Sequence, residues 1–80
     1  PLKIFEYMSF KKPIIASDLP VLREVLSEKN SILVQPENIK NWVMAINRLR
    51  NQEDRKTIAE NALKDFKLYT WKNRAYQVIN

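Results

Sequence analysis

The chain has 80 residues, of which 45% are hydrophobic, and its 14 basic and 9 acidic side chains give a formal net charge of +5. It contains neither cysteine nor histidine, which excludes disulfide scaffolds, thiol nucleophiles and the usual zinc sites from these residues. Glycine is also absent, so no glycine-rich phosphate loop lies in this stretch, and no apolar run is long enough to span a bilayer.

The basic residues form only two doublets, Lys11-Lys12 and Arg55-Lys56, and do not cluster further along the sequence. Neither doublet is interleaved with aromatic residues in the manner of a nucleic-acid platform. We therefore expect most of this charge to be solvated surface charge, with binding to a nucleic acid or an anionic membrane surface as the alternative.

The first part of the chain predicts a helix followed by a buried strand. Residues 1–10 favour a helix because Pro1 suits a first turn and the apolar residues fall at helical spacing. The apolar face of this helix consists of Ile4, Phe5 and Met8. Pro13 ends the helix, and the apolar run 14–16, which contains two β-branched residues, predicts a short strand buried on both faces.

A second helix and a second strand repeat this arrangement. Ser17 and Asp18 are candidates for capping the helix, and Pro20 lies near its first position. Its apolar residues are Val21, Leu22, Val25 and Leu26. After a polar turn, residues 32–34 predict the second strand, which ends at a proline-containing turn.

Three more helices are predicted, over about 37–50, about 53–68 and 70–80, the last with Thr70 as its N-cap. In the same order, their apolar residues are Ile39, Trp42, Val43, Ile46 and Leu49; Ile58, Ala59, Ala62, Leu63 and Phe66; and Trp71, Ala75, Val78 and Ile79. We expect both tryptophans to be packing residues and not platforms for a sugar.

The element order is therefore α-β-α-β-α-α-α. Strands that alternate with helices predict parallel pairing through right-handed crossovers. Two strands are too few for a stable sheet, yet both have the composition of strands covered on both faces, so they require neighbours. We predict an α/β fold, the C-terminal half of a Rossmann-like doubly wound parallel-sheet domain, of which this chain is a fragment.

The segments "PLKIFEYM", "KKPIIASDLPVLREVL", "NSILVQPEN" and "YTW" follow one another in an order and spacing that resembles the C-terminal domain of retaining glycosyltransferases of the GT-B fold. More narrowly, they resemble glycosyltransferase family 4, of group 1 type, over almost the whole chain. Residues 1–80 would then be part of the nucleotide-sugar-binding domain, with 70–80 as its terminal helix. The resemblance implies a hexosyltransferase that retains anomeric configuration and acts in polysaccharide or glycoconjugate assembly.

The resemblance also implies a donor site on the first helix. Such enzymes carry two glutamates at a fixed spacing, and Glu6 matches the second, while the first would fall ahead of Pro1. Glu6 is expected to accept hydrogen bonds from the ribose hydroxyls of the donor. The backbone N–H groups of Leu2 and Lys3 are expected to bind its diphosphate, because a helix N-terminus favours negative charge.

No catalytic residue, no metal site and no cofactor are expected in this stretch, and the donor substrate would be a UDP- or GDP-sugar. Each candidate also has an ordinary interpretation. Glu6 and the Lys3 side chain could simply be solvated, and helix capping accounts for Asp18.

Relatives of this family usually have glycine where this chain has Lys11, and tend to have it near Lys29 and Glu37 as well. Glycine adopts the left-handed conformation at a helix C-terminus without steric cost. A lysine there costs about 1 kcal/mol. We therefore expect altered loop geometry at these positions.

The expected partners are the nucleotide-sugar donor, the upstream half of the same domain and an N-terminal acceptor domain, with no nucleic acid. The expected location is the cytoplasm, either away from membranes or in peripheral contact with the inner face of one. Alone, the chain is expected to lack transferase activity, because both domains must enclose the reacting sugar and exclude water. The alternative function is a small basic helical module that binds nucleic acid or a protein partner.

Overall fold

The structure is a computed structural model that describes the backbone of residues 2–79 and the side chains of residues 3–71. Within these residues, three longer helices, one single-turn helix and two short strands follow one another. They are α1 (Leu2–Ser9), β1 (Ile15–Ser17), α2 (Pro20–Arg23), β2 (Ile32–Val34), α3 (Ile39–Arg48) and α4 (Gln52–Ile79). This mixed order confirms an α/β chain, and it contains both predicted strands.

The two strands pair in parallel, as the alternation of strands and helices predicted. Ile15 lies opposite Ile32, and Ser17 lies opposite Val34. The pairing continues past both ends, since Ile32 N donates to the carbonyl of Ile14 at 2.9 Å and Asp18 N donates to the carbonyl of Val34 at 2.7 Å. The first strand begins one residue later than predicted, and the second has the predicted bounds.

Alternate residues along each strand point to opposite faces of the sheet, and helices cover both faces. On one face, Ile14 and Ala16 pack in a cluster with residues of α1 and α4. On the other face, Ile32 and Val34 pack with Ala45 of α3. This arrangement confirms the expectation, drawn from unbroken apolar runs, that the strands are buried on both sides.

Helices α1 and α4 pack antiparallel through a small residue. Met8 and Ala62 are both completely buried in the cluster that joins these helices. Further along, the rings of Phe5 and Tyr69 lie with their centroids 4.6 Å apart. Alanine allows close approach of two helix backbones, so α1 is held firmly against α4.

One buried polar side chain ties the loop before β2 to α4. Asn30 is almost completely buried, and its amide nitrogen donates to the carbonyl of Val25 at 3.1 Å and to a carboxylate oxygen of Asp65 at 2.8 Å. Its amide oxygen accepts a hydrogen bond from Ser27 N at 2.8 Å. Because all three bonds are made, burial of this amide carries little desolvation cost.

The prediction of two helices at the end of the chain is wrong, since α4 runs without a break from Gln52 to Ile79. Thr70 is not an N-cap: its hydroxyl donates to the carbonyl of Phe66, one turn back, at 3.0 Å. No proline or glycine interrupts the helix at this point, and a threonine that bonds within the helix does not end it. The element order is therefore α-β-α-β-α-α. Trp71 was expected to pack, but it is 74% exposed. The predicted packing residues Ala75, Val78 and Ile79 lie outside the described side chains.

The two middle helices are shorter than predicted. Helix α2 is a single turn that ends at Arg23, although Leu22, Val25 and Leu26 still pack in the core. Helix α3 begins after Asn38, whose side chain accepts a hydrogen bond from Asn41 N at 3.1 Å and caps the helix.

The inward face of α3 differs from the predicted one. Trp42 and Leu49 pack against the core as expected, and buried Ala45 lies between them. The remaining predicted packing residues, Ile39, Val43 and Ile46, are exposed. The small Ala45 side chain sets this orientation, because it is the residue that lets the helix approach β2 closely.

Two of the three positions at which the resemblance implies glycine adopt a left-handed backbone. Lys11 has φ of 56° and Glu37 has φ of 64°, whereas Lys29 is not among the residues of positive φ in the described chain. Lys11 follows the end of α1, where its backbone N–H donates to the carbonyl of Met8 at 3.2 Å. We therefore expect the steric cost of a side chain in this conformation to apply at Lys11 and Glu37.

We predict that Met8→Ala lowers the free energy of unfolding by about 2–4 kcal/mol, because it leaves a cavity between α1 and α4. Ile46→Ala is the control, since Ile46 is 56% exposed, and its effect should stay within about 0.5 kcal/mol. Urea unfolding followed by circular dichroism measures both variants. Equal losses for the two would contradict the packing described for Met8.

We predict that Lys11→Gly raises the free energy of unfolding by about 0.5–1 kcal/mol, because glycine has no side chain to strain the left-handed backbone. The adjacent variant Lys12→Gly should lower it by a similar amount, since Lys12 is not among the residues of positive φ in the described chain. Urea unfolding measures both variants. A lower free energy of unfolding for Lys11→Gly than for the unmodified protein would contradict the prediction.

Candidate functional site

The position of α1 relative to the sheet determines where a ligand could bind. Helix α1 packs on the strand that follows it, to which the loop 10–14 connects it. A helix that packs on the strand it leads into runs antiparallel to that strand, so we place the first turn of α1 toward the carboxyl ends of β1 and β2. Open α/β sheets bind their ligands at this edge.

The two candidate side chains on α1 share one exposed face of the helix. Glu6 and Lys3 are both exposed and are one helical turn apart, on the opposite side from buried Met8. Among the described residues, the Glu6 carboxylate makes no hydrogen bond and no ion pair. The Glu6 backbone carbonyl accepts a hydrogen bond from the Ser9 hydroxyl at 2.7 Å. A free carboxylate is therefore available to a ligand beside the first turn.

The backbone donors named from the sequence belong to the first turn of α1. Leu2 is the first residue of α1 and Lys3 the second, so their N–H groups belong to the turn in which helix N–H groups have no partner within the helix. The side chain of Leu2 lies outside the described residues, and the predicted contact involves only its backbone. That these groups bind a diphosphate stays a prediction.

Asp18 does not have the capping role expected from the sequence. The N-cap of α2 is Leu19, with no hydrogen bond from its side chain, and Pro20 occupies the first helical position. Asp18 therefore lies one residue too early to cap. Its carboxylate instead accepts two hydrogen bonds from Arg23, at 2.6 Å from Nε and 2.8 Å from Nη2. Arg23 also pairs with Glu28 at 3.0 Å.

This ion-pair network shifts the titration of its members. The hydrogen bonds donated by Arg23 lower the pKa of the Asp18 carboxyl from its ordinary value of 3.8. A backbone hydrogen bond and Arg23 together lower the pKa of Glu28. The two carboxylates in turn raise the pKa of Arg23. Asp18 follows β1 directly, so the network fixes a loop at the same sheet edge as the first turn of α1.

The fold also brings together basic residues that are far apart in sequence. Lys11, Lys12, Arg55 and Lys56 line one surface depression, formed by the loop after α1 and the beginning of α4. We call these four residues the basic surface. Each doublet is visible in the sequence, but the antiparallel packing of α1 on α4 makes them neighbours. The two doublets are therefore separate in the sequence and adjacent in the fold.

A family model described as glycosyl transferases group 1 matches residues 1–65. The chain belongs to the group 1 glycosyl transferases. The match covers α1, both strands, α2, α3 and the first half of α4, and it therefore includes Lys3, Glu6 and Asp18. No curated protein and no solved structure shows significant similarity to the chain.

Membership of the group 1 glycosyl transferases supports a glycosyltransferase and does not favour a small basic helical module. The parallel strands, covered on both faces by helices, agree with it, because a helical binding module needs no such strands. None of the helices in the described part of the chain is long and apolar enough to cross a bilayer.

We predict that the Asp18–Arg23 pair contributes stability that is lost at acid pH. Because the folded-state pKa of Asp18 is lowered, its contribution is present above the unfolded-state value near 3.8 and disappears as the pH falls through the folded-state value. Asp18→Asn should therefore flatten the fall in melting temperature below about pH 4.5. Thermal melts across a pH series measure this.

Glu24→Gln serves as the matched control, because Glu24 is exposed and adjoins Arg23 but makes no ion pair among the described residues. Its acid profile should match that of the unmodified protein. An Asp18→Asn profile as steep as the control's would contradict the contribution assigned to this pair.

Proposed function

We propose that this group 1 glycosyl transferase chain is part of the nucleotide-sugar-binding domain of a retaining enzyme of the GT-B fold. The supporting observation is the position of Glu6. Its carboxylate is exposed and unpaired among the described residues, on a helix that the family match includes. That helix begins at the sheet edge where open α/β folds bind ligands.

Glu6 would hold the ribose of the donor. A carboxylate has two oxygen acceptors, and the neighbouring 2′- and 3′-hydroxyls of ribose offer two donors at matching separation. Hydrogen bonds to a charged acceptor are stronger than neutral ones, so this pair of contacts would contribute both affinity and orientation.

The first turn of α1 would bind the diphosphate. The N–H groups of Leu2 and Lys3 have no acceptor within the helix, and the helix dipole places partial positive charge at this end. The exposed Lys3 side chain adds a full positive charge one turn from Glu6. One helix would thus contact two adjoining parts of a UDP- or GDP-sugar, which orients the sugar at the cleft.

Further strands would complete the sheet on both sides. An apolar depression beside β1 is lined by residues of α1 and β1, including Ile4, Tyr7 and Ile15. A second depression lies beside β2 and includes Leu33 and Met44. A two-stranded sheet with open apolar flanks is marginal in water. We propose that the rest of the domain covers these flanks, and that an acceptor domain faces α1 across the cleft.

Transfer of a hexosyl group would require both domains. Enclosure of the anomeric carbon excludes water, which would otherwise hydrolyse the donor. We propose that residues 1–80 contribute donor contacts but no catalytic group, and that they have no transferase activity by themselves.

The test is Glu6→Gln in the full-length natural protein, with the dissociation constants of UDP and GDP measured by calorimetry. We expect the preferred nucleotide to bind about 10- to 100-fold more weakly, because the amide cannot accept from both hydroxyls as a charged group. Glu53→Gln is the matched control, since Glu53 is an exposed glutamate in the first turn of α4 and should leave binding unchanged.

The 2′-deoxy form of the same nucleotide identifies the contact. If Glu6 binds the ribose, the deoxy nucleotide and the Glu6→Gln variant should each weaken binding, and together they should weaken it by less than the product of the two effects. Fully multiplicative effects would place Glu6 away from the 2′-hydroxyl and overturn the assignment.

A further inference from the structure

We propose that the ring of Phe10 is the platform on which the base of the donor nucleotide stacks. The inference rests on the proposed function, in which Glu6 binds the ribose and the first turn of α1 binds the diphosphate. It adds a contact for the third part of the nucleotide. Two features of the structure lead to it: the exposure of the Phe10 ring and its spacing from Glu6 along the helix.

The exposed ring of Phe10 has no partner in the described core. The side chain is 62% exposed, although phenylalanine is among the residues that are most often buried. It belongs to neither of the two hydrophobic clusters of the described residues. It lines neither the apolar depression beside β1, which we assign to the rest of the domain, nor the basic surface. The ring is therefore open to a ligand.

The backbone keeps Phe10 on the surface of α1. Its N–H donates to the carbonyl of Tyr7 at 3.2 Å, so the chain stays coiled for one residue beyond Ser9. Lys11 then adopts a left-handed backbone with φ of 56°, which turns the chain away toward β1. Phe10 is thus the last residue whose side chain projects from this helix.

The side chains of Lys3, Glu6 and Phe10 form one row along α1. Successive members of the row are three and four residues apart, which places them on the same face of a helix. All three are exposed, and buried Met8 lies on the opposite face, so the row points away from the core. From the amino end of the helix, the row has the order in which a nucleotide carries its diphosphate, ribose and base.

The spacing of Glu6 and Phe10 suits a nucleoside. The two residues are one turn apart, about 6 Å along the axis of a helix. Ribose and base are two rings joined by one bond, and they extend over a comparable distance. The 1′- and 4′-carbons of ribose flank the two carbons that carry the 2′- and 3′-hydroxyls. With these hydroxyls on Glu6 and the 5′-phosphate toward the first turn, the base points toward Phe10.

Stacking is the contact that a phenylalanine ring can offer to a base. Every base has a π-face, so stacking on an aromatic side chain tolerates different bases. The ring has no hydrogen-bonding group with which to read a base edge. Phe10 therefore contributes affinity for both UDP and GDP, and the choice between these two nucleotides falls to other groups.

The experiment measures the binding of UDP, GDP and ribose 5-phosphate to the full-length natural protein by calorimetry. Phe10→Ala should weaken the preferred nucleotide about 5- to 30-fold, because a stacked base contributes a factor of this size. It should leave ribose 5-phosphate, which has no base, unchanged. Phe10→Trp should retain nucleotide binding, because the indole offers a larger face, and the bound base should quench the fluorescence of the new indole.

Trp71→Ala is the matched control, because it removes another exposed ring, which is 74% exposed on α4. Trp71 lies nine residues after buried Ala62, so it is on the opposite side of α4 from the contact with α1. Nucleotide binding by this variant should stay within about twofold of the unmodified protein, well below the effect of one stacked base. Circular dichroism verifies that each variant is folded.

The results separate this inference from the proposed ribose contact. If Glu6→Gln weakens nucleotide binding and Phe10→Ala does not, the base contact alone is overturned. An equal loss for ribose 5-phosphate in Phe10→Ala also overturns it, since the ring would then not act through the base. A loss in Phe10→Ala without one in Glu6→Gln supports the base contact and overturns the ribose assignment. If neither variant weakens binding, both assignments are overturned.

Discussion

The close packing of α1 against α4 is the contact on which the rest of the structure depends. Met8 and Ala62 are fully buried at this contact, and Ala62 is small enough to let the two helix backbones approach. The contact holds α1 over one face of the parallel pair β1–β2, while α3 covers the other face through Ala45. Without it, the sheet would have an open apolar face, and two three-residue strands do not persist in water uncovered.

The same packing positions both the proposed donor contacts on α1 and the basic surface after its last turn. Since α1 runs antiparallel to the strands and to α4, Glu6 and the first turn are held at the carboxyl edge of the sheet. The loop after α1 is held at the opposite edge, beside the beginning of α4. One helix thus presents, at one end, the exposed Glu6 carboxylate and the first turn that we propose as donor contacts, and the loop after its other end contributes half of the basic surface. The family match includes this helix, whereas the basic surface is visible only in the fold.

At two positions the chain carries a charged residue where the backbone adopts a conformation that glycine takes more easily. Lys11 and Glu37 adopt left-handed conformations despite their side chains. The network of Asp18, Arg23 and Glu28 stiffens the loop after β1 through charge-assisted hydrogen bonds. Strain of about 1 kcal/mol at each left-handed residue is tolerable in a chain whose helices are already fixed by core packing.

The sequence by itself determined both strands, their parallel pairing and the inward face of α1, because uninterrupted apolar runs and helical periodicity report burial directly. Glu6 and Lys3 could also be placed from sequence, since one helical turn separates them.

The end of the chain was predicted less well. A threonine serves equally as a cap or as an interior residue, and only the backbone shows that α4 continues through Thr70. Likewise, the Asp18 carboxylate could cap α2 or form an ion pair. Because Leu19 is the N-cap of α2, Asp18 lies too early to cap and pairs with Arg23 instead. The basic surface could not be predicted at all, because residues 11–12 and 55–56 become neighbours only through the antiparallel contact of two helices, a relation that local sequence patterns do not encode.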